Sequence, residues 1–130
     1  MFFKPKIITS FDSLTFSEFG MRHATYIKAT AEGENTVISY YPTTRPDEGE
    51  EPKIKVSVPT GKMLDIFNKY GILSWDGFDG DRPRGVLDGK TFRLTATVNG
   101  GREINARGDQ RFPKNYYEFI HELDKLLGRF

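Results

Sequence analysis

The residues with the most capacity for chemistry lie between Trp75 and Asp88. Asp76, Asp79, Asp81 and Asp88 are carboxylates of the kind that hard cations gather, and calcium takes about six to eight oxygen ligands. Their spacing departs from the calcium-loop pattern, and Arg82 and Arg84 stand among them. Turn formation and local ion pairs account for them more simply, as Asp before Gly is ordinary turn chemistry. Trp75, the only tryptophan, offers a stacking surface for a sugar or an aromatic peptide side chain. Its apolar neighbours Ile72, Leu73 and Phe78 favour the other use of an indole, as a core anchor for the loop. Trp75, Asp76, Asp79, Asp81, Arg82 and Arg84 are thus the residues the sequence offers for contact with a ligand or partner.

Elsewhere the chemistry thins out. His23 and His121 are the only side chains whose ordinary pKa lies near neutrality. His121 falls at the wet edge of a helical stripe near Glu118 and Asp124, and His23 falls in a polar turn, so a surface role suits both. No Gly-x-Ser-x-Gly turn is present to strain a serine nucleophile. The absence of cysteine removes thiol nucleophiles, thiolate metal sites and disulfides together. A carboxylate pair for glycoside hydrolysis depends on separation in space, and nothing in the sequence selects a pair. No glycine-rich loop joins a strand to a helix, so a nucleotide fold has no support, and no cofactor or metal site is indicated.

The elements that must position these residues are legible from periodicity. Thr91 to Asn99 alternates, with Phe92, Leu94, Ala96 and Val98 on one face and Thr91, Arg93, Thr95 and Thr97 on the other. Arg102 to Arg107 alternates again, with Ile104 and Ala106 against Glu103, Asn105 and Arg107. A two-residue glycine turn would put Glu103 and Asn105 on the core face, because a slip of one residue swaps the faces. A three-residue loop, Asn99-Gly100-Gly101, instead sets Ala96 opposite Ile104, Leu94 opposite Ala106 and Phe92 opposite Gly108. The outward face of this hairpin is a flat polar surface that either stays solvated or receives a partner.

Upstream, Ser13 to Phe19 reads as a first strand, Ala24 to Ala31 as a second and Asn35 to Tyr41 as a third. The loop at Gly33-Glu34 pairs Ala29 with Ile38 and Ile27 with Tyr40. Pro42 to Pro52 has three prolines, a glycine and four acids, the composition of a solvated connecting loop. Lys53 to Val58 is a strand with Ile54, Val56 and Val58 inward and the lysines of an edge. Met63, Ile66, Phe67 and Tyr70 mark a helix that stops at Gly71. The run from Asp76 to Gly85 carries too many breakers for regular structure. A last helix opens at Pro113 and carries the stripe Tyr116, Phe119, Ile120, Leu123, Leu126 and Leu127. Strands in runs with few helices predict one α+β domain over 1–130, an antiparallel sheet of hairpins with two helices on one face, in two layers.

Nineteen basic and eighteen acidic residues leave a net charge of +1, without the excess that phosphate-backbone binding requires. No apolar run is long enough for a signal peptide or a membrane span, and the chain reads as cytoplasmic. Nucleic acid and membrane are therefore not expected partners.

Leu73-Ser74-Trp75-Asp76-Gly77-Phe78, Val86-Leu87-Asp88-Gly89-Lys90-Thr91-Phe92-Arg93-Leu94, Ala106-Arg107-Gly108 and Phe112-Pro113-Lys114-Asn115-Tyr116 together resemble a family of uncharacterised bacterial domains of unknown function. Those domains carry a Trp-x-Gly-Phe loop, an Asp-Gly before a strand and a Phe-Pro-x-Asn-Tyr start to the last helix. The likeness covers roughly residues 63 to 127. Members with lipoprotein-like N-termini have a lipid-attachment cysteine that this chain lacks. The resemblance implies a shared fold and carries no activity with it.

The expectation is a small non-enzymatic binding or protein-interaction module, a monomer or weak homodimer whose partner is a protein or a small ligand. The alternative is a small hydrolase or metal-dependent enzyme that uses the loop from Asp76 to Asp88.

Overall fold

The computed structural model describes residues 7–20, 23–80 and 90–129. In chain order the elements are β1 (Phe11–Gly20), β2 (His23–Glu32), β3 (Asn35–Tyr41), β4 (Ile54–Pro59) and α1 (Thr60–Lys69), then a short 3-10 helix (Ile72–Trp75), β5 (Asp79–Gly80), β6 (Thr91–Val98), β7 (Arg102–Asp109) and α2 (Tyr116–Leu127). The fold is α+β. Among the described residues, seven strands form one mostly antiparallel sheet in the order β4-β3-β2-β1-β6-β7-β5. The first strand in sequence therefore lies at the centre of the sheet, antiparallel to both β2 and β6.

The register of β6 on β7 is the one parity demands. Ala96 faces Ile104, Leu94 faces Ala106 and Phe92 faces Gly108, with Asn99, Gly100 and Gly101 as the loop. All three loop residues have positive φ, at 49°, 78° and 126°. Two glycines take such angles without steric cost, and asparagine is the side chain that tolerates them best. Asn99 is also employed: its Oδ1 accepts from the Thr9 N–H at 2.7 Å and its Nδ2 donates to the Ile7 carbonyl at 3.1 Å. On α1, Asn68 holds Ile8 in the same manner, accepting from its N–H at 2.7 Å and donating to its carbonyl at 2.9 Å. Two asparagines thus seat Ile8 in the interior.

β2 and β3 pair Ala29 with Ile38 and Ile27 with Tyr40. At the start of β1 the register with β6 slips between Phe11 and Ser13. That bulge turns Phe11 inward although strict alternation from Leu14 would point it out. Its ring meets Phe67 of α1 edge to face, centroids 5.0 Å apart.

The buried cluster takes the inward residues Leu14, Phe16, Ile27, Ile38, Phe92, Leu94 and Ile104 from the sheet, and Met63, Ile66, Phe67, Phe119, Leu123 and Leu127 from the helices. On the edge strand β4, Ile54, Val56 and Val58 are only partly buried. α1 ends as expected, with Gly71 left-handed at φ 68°.

Three expectations need correction. Asp79 and Gly80 do form regular structure, a two-residue strand parallel to Arg107 and Gly108. Gly108 leaves room for the chain that follows β7: a Cβ there would collide with the Arg111 carbonyl oxygen and come 2.6 Å from the Phe92 ring. α2 begins at Tyr116 rather than Pro113, because Asn115 takes a left-handed φ of 69° and breaks the run. Pro113 is buried, Phe112 stacks on Tyr116 at 4.5 Å, and the Lys114 carbonyl is taken by the indole of Trp75. His23 is the first residue of a strand rather than part of a turn.

Candidate functional site

Of the residues the sequence offers for ligand contact, Asp81, Arg82 and Arg84 lie outside the described residues, as does Asp88. Trp75 is 2 % exposed. Its Nε1 donates to the Lys114 carbonyl at 3.1 Å and its ring meets Phe119 edge to face at 5.5 Å. No face of the indole is left for a ligand to stack on. Asp76 accepts the Asn105 N–H at 3.0 Å, and its other oxygen lies 3.9 Å from Arg102. Asp79 pairs with Arg107 at 3.2 Å. Both aspartates are therefore committed to β7, Asp76 to its backbone and to Arg102, and Asp79 to Arg107. Among the described residues no group of three or more histidines and carboxylates could hold a metal ion.

The sequence reading missed Glu18. It continues the inward series Leu14, Phe16 and is 6 % exposed. The Tyr116 hydroxyl donates to its Oε2, His23 Nε2 lies 2.8 Å from its Oε1, and Lys90 Nζ lies 3.7 Å from the same oxygen. A carboxylate beside an imidazole and a phenol is a set that can move protons. Here Glu18 and Tyr116 are buried, with Phe16 and Phe92 packed on Tyr116, while the His23 and Lys90 side chains reach solvent. Burial first, and then the Glu18 carboxylate, hold the Tyr116 phenol far above its ordinary pKa, so it stays a donor. The arrangement serves as a polar anchor between β1 and α2. His121 is exposed on α2, as expected.

The remaining candidate is the sheet face opposite the buried cluster. Arg93 of β6 and Arg107 of β7 are directly opposed across the strands, and both are exposed. They line a trough of about 670 Å³ with Ser17, Phe19 and Tyr26 from β1 and β2. Thr44 and Arg45, at the start of the loop after β3, form its other wall. A second depression of about 370 Å³ continues it past Arg93 and Arg107 to Gly77 and Asp79. Asp109, two residues on from Arg107, also lines the trough and accepts from the Thr91 hydroxyl at 3.2 Å. Among the described residues, Arg45 and Arg93 have no carboxylate within ion-pair distance. The outward alternation of Arg93, Thr95 and Arg107 was legible in the sequence. The presence of Ser17, Tyr26 and Arg45 beside them was not, since it depends on β1 pairing with β6 and on the path of a loop.

No helix among the described residues is long and apolar enough to cross a membrane. No family model, no curated protein and no solved structure matches the chain.

Proposed function

We propose that the chain is a small, cytoplasmic, non-enzymatic binding module built in two layers, with both helices over one face of the sheet and an anionic ligand bound on the other. The observation that carries this reading is the opposition of Arg93 and Arg107. Like charges directly across a strand pair destabilise a sheet. The Asp79 contact relieves Arg107 only in part, because exposed pairs contribute about 0–1 kcal/mol. A bound anion relieves both, and the planar guanidinium fork matches carboxylate or phosphate oxygens in pairs. The trough supplies the concavity such a ligand needs.

The test is a thermal-shift titration with phosphate, sulfate and citrate against chloride at constant ionic strength, on the native chain, Arg93→Thr and Arg107→Thr. A ligand that binds only the folded state raises the melting temperature by mass action. The expected result is a rise for the native chain that both variants lose. An equal rise in the variants, or turnover in a broad hydrolase screen, overturns the reading. Calcium, magnesium and zinc belong in the same titration, since a specific rise with a cation would favour the enzyme that uses the Asp76 to Asp88 loop.

A further inference from the structure

The registers of five strands set one row of side chains straight across the open face. Tyr41 is opposite Tyr26, Tyr26 opposite Ser17, Ser17 opposite Arg93, and Arg93 opposite Arg107. One end of the row is aromatic, with the Tyr26 and Tyr41 rings edge to face and their centroids 6.0 Å apart. The other end is cationic, and a hydroxyl stands between.

We infer that this row binds a nucleoside monophosphate, with its base on Tyr26, its sugar over Ser17 and its phosphate between Arg93 and Arg107. The inference rests on the anion-binding reading above and names the ligand. A base stacks on an aromatic ring whatever its identity, because every base has a π face. A phosphate presents several oxygens to two guanidinium forks at once. The separation selects among aromatic phosphates: neighbouring strands are about 4.8 Å apart, so Tyr26 and Arg93 stand about 10 Å from each other. A phosphate attached directly to a phenyl ring falls short of that span, whereas a ribose bridges it and brings hydroxyls to Ser17. Arg45, carried over the trough by the loop after β3, supplies a further guanidinium beside the bound ligand. The site uses no glycine-rich phosphate loop, which is why the sequence carries no sign of it.

The experiment follows backbone amide shifts by ¹⁵N NMR while adenosine 5′-monophosphate, adenosine or inorganic phosphate is added at constant ionic strength. The expected result is that the monophosphate binds roughly tenfold or more tightly than inorganic phosphate, with shifts centred on Tyr26, Ser17 and Arg93. Tyr26→Ala should lower it to the level of phosphate and leave phosphate itself unchanged, while Tyr26→Phe keeps the preference. Ser17→Asp, a carboxylate in the middle of the row, should abolish binding of the monophosphate. The same spectra report whether each variant is folded. A monophosphate that binds no more tightly than inorganic phosphate, or that ignores Tyr26→Ala, overturns the nucleotide assignment and leaves the anion-binding reading standing. No shift with either phosphate overturns both.

Discussion

The Tyr116 hydroxyl donates a hydrogen bond to the Glu18 carboxylate and so fastens the first turn of α2 to the central strand, across 98 residues of sequence. The hydrogen bond is buried, and each partner depends on the other. Tyr116→Phe removes a donor from a buried carboxylate, which costs about 1–3 kcal/mol when the acceptor is left short. Glu18→Gln keeps the shape but removes the charge. Residues in contact do not act additively, so the double variant should be less destabilised than the sum of the two single ones. Urea unfolding of the four proteins measures this, and strict additivity would show that the charge of Glu18 adds nothing to the contact.

Asp124, two turns further along α2, makes a prediction about pH. Burial raises its pKa, against the opposing charge of Arg129, whose Nη1 lies 3.3 Å from Oδ1. That Oδ1 is buried and accepts no hydrogen bond. A carboxyl whose folded pKa lies above its unfolded value binds its proton more tightly in the folded state. Its contribution to stability is therefore lost as pH rises from the unfolded value, about 3.9, through the raised one. Asp124→Asn escapes this loss. Relative to the native chain, the variant should gain stability between pH 3 and pH 7 in urea unfolding, and a constant or falling difference would contradict the sign.

What the sequence disclosed and what it withheld divide along one line. Pairings between neighbours in the chain were legible, because parity alone decides which face a slip would expose: Ala96 with Ile104 and Ala29 with Ile38 follow from counting. Pairings between distant segments were not. Nothing in Phe11–Gly20 says that it will lie between β2 and β6, and without that placement the row from Tyr41 to Arg107 cannot be drawn. Alternation does put Glu18 on the face of Leu14 and Phe16, but its partners Tyr116 and Lys90 lie far along the chain. Phe11 was hidden for a different reason, since a bulge changes the parity on which counting relies. The helix start misled because proline at a first turn is only a permission. Burial of Pro113 and the use of the Lys114 carbonyl by Trp75 delayed the helix to Tyr116.

Gly108 is required by space rather than by its backbone angle. Its Cβ position is occupied by the Arg111 carbonyl oxygen, and the Phe92 ring stands 2.6 Å away. Gly108→Ala must push the backbone at Arg111 outward or displace Phe92, which packs on Tyr116 at 4.8 Å. Overpacking of this kind costs about 1–3 kcal/mol or more. Because Tyr116 packs in turn on Trp75, with ring centroids 6.1 Å apart, the disturbance should reach Trp75. Its emission, the only tryptophan signal, should shift to longer wavelength in the variant. A native spectrum with native stability would mean that the strand accommodates the methyl group.

Arg93 tests whether the open face was shaped by binding or by folding. If its role were structural, Arg93→Thr would weaken the sheet. The geometry argues the reverse, because Arg93 faces Arg107 and, among the described residues, has no acid of its own. Threonine suits a strand, and its removal of the like-charge opposition should stabilise the chain by a few tenths of a kcal/mol, within the about 0.2–1 kcal/mol range of cross-strand pairs. The gain should shrink in high salt, which screens exposed charges beyond about 3 Å at 1 M. The same variant should lose its thermal response to phosphate. A side chain that costs stability when the site is empty and restores it when an anion binds belongs to a binding surface, and the pair of measurements separates that case from a solvated face. Stability lost together with the phosphate response would instead assign Arg93 to the fold.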